Sequence, residues 1–294
     1  MICFTLLALA TSLSSLVALA AVPNDKTARS APAEVLYGRY LELAPQLEHN
    51  QFGRALHLDS METNSALSGE ISAVLNHPFS KLKSVLRVPT NWCRLLMLHI
   101  NIHTCRVELV PAGSELKVGM GQMTASHTDN VYPLEFRYLL AADSADYLDA
   151  RLSAAQGPIS THNYQLSLIA TALGNDKTFL KMTYEYGFGF AGRLAMNAYL
   201  ATSGRNKVGF TRLPASQDGE VKFIGGMRGL IERNAMRYYL ALDAHLASYA
   251  VPPEQQFEAG LRAWFDATEN YPRQLHELDR SVYLSNKRAE FVAD

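Results

Sequence analysis

Four consecutive stretches between residues 134 and 190 place an apolar side chain at every second position. The series runs Leu134, Phe136, Tyr138, Leu140, then Leu148, Ala150, Leu152, then Tyr164, Leu166, Leu168, and last Leu180 to Phe190. A period of two is the mark of a strand with one buried face. The links between the stretches carry turn chemistry: Ala-Asp-Ser-Ala-Asp, Gln-Gly-Pro and Gly-Asn-Asp. Strands joined this way make an antiparallel meander, and a sheet apolar on one face needs a cover. The final stretch, TFLKMTYEYGFGF, sets Met182, Tyr184 and Tyr186 on the apolar face. A tyrosine hydroxyl in a closed core must find a partner. The row therefore reads either as a cavity wall or as a core with satisfied hydroxyls.

The rest of the chain completes this sheet and supplies its cover. RALHLDS and SGEISAVL read as two earlier strands, and LHINIHTCRVEL and SELKVGMGQMTA as two that open the meander. Between the pairs, Asn76 reads as the cap of a helix FSKLKSVLRV that ends at Pro89, and a short helix spans 90–97. Residues 34–50 have helical spacing, which Pro45 is expected to break. The cover is the long helix at 225–249, whose broad face carries Met227, Leu230, Ile231, Asn234, Tyr238, Leu242, His245 and Tyr249. Met236, Tyr239 and Leu240 lie on the opposite side, so the helix is sandwiched between the sheet and one or two C-terminal helices. Arg228, Glu232, Arg233 and Arg237 read as a solvated or helix-contacting face.

The first twenty-odd residues differ in kind. MICFTLLALATSLSSLVALA is uncharged and apolar and closes on Ala18-Leu19-Ala20, the small-x-small pattern of a signal-peptidase site, although a positive n-region is missing. Residues 1–21 are read as a signal peptide, with a membrane anchor as the rival, and the chain is expected to be periplasmic or secreted. Cys93 and Cys105 then remain, and two thiols in an oxidising compartment favour a disulfide. Free thiols, or zinc shared with His99 and His103, are the alternatives. With 27 Lys+Arg against 28 Asp+Glu and no basic stripe, no nucleic-acid footprint is present. The GFGFAG at 187–192 lacks a βαβ context and is rejected as a dinucleotide site, so no cofactor is expected.

In SGEISAVLNHPFSKLKSVLRVPTNW and FIGGMRGLIERNAMRYYLALDAHL, set either side of the meander, the chain resembles the START-like superfamily (SRPBCC, or polyketide-cyclase-like). The resemblance implies an α+β helix-grip fold: a curved antiparallel sheet wrapped around a long C-terminal helix, here with extra C-terminal helices. It divides the chain into a signal peptide (1–21), an N-terminal extension (22–54), a START-like domain (55–250) and a C-terminal helical extension (251–294). It also implies a hydrophobic small-molecule ligand, lipid- or sterol-like, held between sheet and helix. The expected wall is Tyr138, His162, Tyr164, Met182, Tyr184 and Tyr186, facing Asn234, Tyr238 and His245. The inserted segment AGRLAMNAYLATSGRNKVGFTRLPASQDGE is expected to cap the cavity mouth. The leading expectation is an exported carrier, with a peripheral membrane contact among its partners. The alternatives are a cyclase- or hydrolase-type enzyme using His162 or a tyrosine as acid/base, or a protein-interaction module. No catalytic residue and no metal ligand is assigned, and fold alone does not choose among these classes.

Overall fold

A computed structural model describes residues 29–123, 131–202, 204–214 and 220–293; the expected signal peptide lies outside the described residues. The elements run α1 (Ala31–Glu48), β1 (Leu56–Glu62), β2 (Ala66–Leu75), α2 (Phe79–Leu86), α3 (Pro89–Leu96) and β3 (Ile102–Val110). They continue with β4 (Gly113–Met120), β5 (Tyr132–Asp143), β6 (Tyr147–Gln156), β7 (Thr161–Leu173) and β8 (Lys177–Phe188). The chain ends in α4 (Phe190–Ala201), α5 (Gly226–Ser248), α6 (Gln256–Thr268), α7 (Pro272–Leu275) and α8 (Arg280–Ala293).

All eight strands form one antiparallel sheet in the order β1-β2-β8-β7-β6-β5-β4-β3. The strands β3 to β8 are the expected meander, and the β1–β2 hairpin adds to β8. The α2–α3 pair carries the chain from β2 to the far edge. This is the α+β helix-grip architecture, with α5 as the gripped helix. Where α5 crosses β2, a methyl group on Gly69 would stand 3.0 Å from Ala235 Cβ and 3.2 Å from the Ile231 carbonyl, so the strand is bare there and the helix sits directly on it. On its other side α5 meets α6, where the Trp264 indole donates to the Arg237 carbonyl at 3.1 Å. A helix covered on both sides buries 17 of its 23 residues.

Several local expectations change. The helix of 34–50 is not broken: α1 runs through Pro45, and the carbonyl that proline leaves unbonded belongs to the exposed Leu41. This helix covers the outer face of the sheet, packing Leu36, Leu43 and Leu47 against Tyr147 and Phe179. Asn76 is not the cap of α2, because Pro78 holds that position and the helix begins at Phe79. The apolar row of β8 ends at Phe188; Phe190 opens α4 and is 84% exposed. His99 precedes β3 instead of lying in it.

Cys93 of α3 and Cys105 of β3 form a disulfide, which takes up both sulfurs and displaces the zinc alternative. His103 instead pairs with Glu290 of α8 at 2.6 Å, while Tyr283 donates to the Leu98 carbonyl at 2.7 Å. Lys287 is fully buried against Glu290 and the Ile102 carbonyl, and burial lowers its pKa to about 8. These contacts tie the C-terminal helix to the edge strand, an edge that would otherwise be open. The disulfide closes a short loop, 12 residues apart in sequence. Replacing both cysteines by alanine should lower stability by about 3 kcal/mol in the chain-entropy account. A denaturant midpoint unchanged from wild type would contradict it.

Candidate functional site

The open end of the grip holds a cavity of about 260 Å³. Its sheet side comes from the end of β4, the start of β5 and the β6–β7 turn at Pro158 and Ile159. Its helix side is Leu230, Arg233, Asn234 and Arg237 of α5, with Tyr199 of α4, Lys207 and Glu277 at the rim. Ile100, Met120, Met123 and Leu230 make part of the wall apolar. A larger and more open hollow of about 740 Å³ lies beside residues 46–52, bounded also by Leu56, Phe210 and Thr211. Ile159 and Tyr132 are 51% and 38% exposed, so the cavity opens to solvent on the sheet side.

The structure divides the nine residues expected to line the site. Asn234 borders the mouth cavity. One helical turn further, Tyr238 meets Tyr184 with ring centroids 4.9 Å apart, and Tyr164 stacks on Tyr186 at 5.0 Å. These rings and Met182 are buried and packed on one another. The hydroxyls have neighbours: Tyr164 donates to Thr161 at 2.9 Å and Tyr186 lies 3.7 Å from Met196 sulfur. The four rings form a closed floor to the interior of the grip, none of them among the residues lining the cavity, and burial raises the pKa of each. Tyr138 stands apart beneath α2 and α3; it donates to the Leu86 carbonyl at 2.9 Å, and burial pushes its pKa up to about 12.

Two histidines do not face the site. Between β7 and β8 the register slips by one residue at Asn163, whose φ of 52° is left-handed. The slip turns His162 out: its ring lies over Gly187, where a methyl group would come within 2.4 Å of it, on the face that carries Glu185 and Gln165. Gly187 thus serves close approach of the imidazole. His245 lies near the far end of α5, beside a separate hollow of about 150 Å³ bounded by Arg94, Leu98 and Phe257.

The residues that sequence reasoning missed are the charged ones. Glu232, Arg233 and Arg237 are not solvated; their exposures are 0%, 1% and 3%. Glu232 is fully provided for, accepting from Ser60, from the backbone N–H of Phe210 and of Thr211, and from the Thr211 hydroxyl, at 2.6–2.9 Å. Arg237 donates to Glu277 at 2.7 Å, and Lys207 pairs with the same carboxylate. Burial works to raise the Glu277 pKa, but the two cations outweigh it and hold it low. Arg233 gives Nη1 to the Val208 carbonyl at 3.3 Å and interacts with Tyr199 and Glu277, while its Nε and Nη2, and the Nε of Arg237, complete no hydrogen bond of good geometry among the described residues. Burial lowers the Arg233 pKa, and the neighbouring Arg237 adds to this. Next to the floor, His99 stacks on Tyr238 at 4.5 Å and accepts at Nδ1 from the Asn101 N–H. Burial, then Arg237, holds it well below the usual histidine range.

No protein-family profile matches the chain, and no curated protein matches it. Solved structures similar to it include a START superfamily protein from Mycobacterium smegmatis (12% identity, TM-score 0.34, 48% of this chain and 88% of that one). The Zhui aromatase/cyclase from Streptomyces sp. R1128 is similar at 14% identity and TM-score 0.32, over 76% of this chain and 100% of that one. Norcoclaurine synthase from Thalictrum flavum is similar at 10% identity and TM-score 0.33, over 49% and 89%. With TM-scores this low these are distant likenesses. The helix-grip assignment rests on the strand order and the seated helix.

The buried histidines make stability depend on pH. Unfolded, an imidazole takes a proton near pH 6.5, whereas burial, then Arg94, lowers the folded His245 to about 4. Between those values the unfolded chain binds more protons, so stability falls as pH is lowered across the window and levels off below it. Each pH unit costs about 1.4 kcal/mol per such group. Thermal melts from pH 7.5 to 4.5 should show this loss, and H245F should make it shallower. An equal acid loss in H245F would remove His245 as a cause.

Proposed function

We propose that this protein binds a small hydrophobic or amphipathic molecule in the cavity at the open end of the grip. The observation that carries this reading is the cavity itself: a hollow of about 260 Å³ between sheet and α5 with an apolar wall and a few convergent polar groups. The insertion after β8 supports it, since α4 sets Tyr199 at the rim and Met196 against the tyrosine floor. A binding role is favoured over acid/base catalysis because Glu277, the one carboxylate among the described lining residues, is engaged by Arg237 and Lys207. Near the mouth, Phe190, Leu194 and Ile159 are 84%, 60% and 51% exposed, an apolar rim suited to brief contact with a membrane surface.

Filling the cavity tests this reading. Leu230→Trp adds volume at the cavity wall and should abolish uptake of a fluorescent fatty acid while the melting temperature stays close to wild type. Tyr184→Trp adds volume to a packed floor and should cost about 1–3 kcal/mol. Wild-type protein that takes up no such probe would remove the reading.

The proposal extends to location: a protein carried to the periplasm or secreted, its leader cleaved. The Ala18-Leu19-Ala20 pattern and the Cys93–Cys105 bond are the features that support it. The mature chain should then begin near Ala21 or Val22, as read by N-terminal sequencing of protein from its own host. Recovery of the intact N-terminus would overturn export with cleavage.

A further inference from the structure

We infer that the ligand of the mouth cavity is an anion at its polar end, a carboxylate or phosphate held by Arg233 and Arg237. This rests on the cavity being the binding site and adds what the site selects.

The lining residues include three cations, Lys207, Arg233 and Arg237, and one carboxylate, Glu277. Glu277 pairs with Lys207 and Arg237, and Arg233 feels that carboxylate without a direct ion pair of its own among the described lining residues. A buried charge without a partner is costly, and buried N–H groups are nearly always bonded. The neighbouring Glu232, with every oxygen engaged, shows that this helix can satisfy a buried charge internally. Arg233 is different. Its one bond uses Nη1, and the unpartnered atoms, Nε and Nη2, are adjacent on one edge of the guanidinium. That edge donates two parallel N–H bonds, the geometry that takes a carboxylate or phosphate in a fork. Arg237, one turn on, leaves its Nε unpartnered too. Ile100, Met120, Met123 and Leu230 provide the apolar surface for a tail. An anionic amphiphile would answer both the surplus charge and the three open donors.

The test uses the purified full-length protein at neutral pH, with decanoate, decanol and inorganic phosphate as probes in calorimetry and thermal melts. Wild type should bind decanoate about tenfold or more tighter than decanol, the worth of a charge-assisted fork. R233M should lose that preference while holding decanol within about twofold of wild type. R233K, which keeps the charge and loses the fork, should fall between. Equal wild-type affinity for acid and alcohol would overturn the inference and leave the cavity reading standing; this comparison needs no variant to fold. A preference kept in R233M would also overturn it. A melting temperature raised by phosphate in wild type alone, without decanoate binding, would uphold the anion site and remove the apolar ligand. No response to any probe would overturn both.

Discussion

Everything in this fold is arranged around the seat of α5. The helix rests on β2 where Gly69 leaves no side chain between strand and helix, with Ala235 and the Ile231 carbonyl directly above. On the opposite side Gly229 comes equally close to the backbone of Gly209, where a methyl group would stand 2.9 Å from the Gly209 nitrogen. The helix is thus pinched between two backbones by glycines on both sides. Such a contact leaves little room for adjustment, since interiors pack at crystal-like density. The sheet must curve to meet the helix, and α6 must cover what the sheet does not.

Burying the helix on two sides also buries its charges. A carboxylate or guanidinium taken from water needs hydrogen bonds in exchange, or its charge becomes a liability. Glu232 and Arg233 are adjacent and meet this demand in opposite ways. Glu232 knits Ser60 of β1 and the 210–211 backbone to the helix, which is a structural role. Arg233 borders the cavity with its Nε and Nη2 buried and unbonded.

The cavity lies at one end of the grip, and the tyrosine rings of the interior are closed. Tyr164, Tyr184, Tyr186 and Tyr238 fill the grip's interior with face and edge contacts worth roughly 0.5–1.5 kcal/mol per pair beyond burial. Above them, left-handed residues at Ile159, Ser160 and Asn163 shape the β6–β7 turn that forms the rim.

The fold was largely legible from the sequence because its signals are local. Alternation on β5 to β8, turn residues between them and the two-sided apolar pattern of α5 follow from side-chain periodicity, which the backbone imposes wherever the chain goes. The cysteine pairing was legible from the number of cysteines and the compartment expected for them. The site was legible only in part. Asn234 was found because it shares a face with core residues, but His162 was misplaced because a one-residue slip at Asn163 reverses its direction, and a slip depends on the partner strand. Arg233 and Arg237 read as a solvated or helix-contacting face in sequence, since charge is ordinarily outside. The sequence determined that α5 would be covered on both sides. Only the tertiary structure decided that Arg233 is buried against the Val208 carbonyl with two unbonded donors, because burial and hydrogen-bond satisfaction belong to contacts between distant segments.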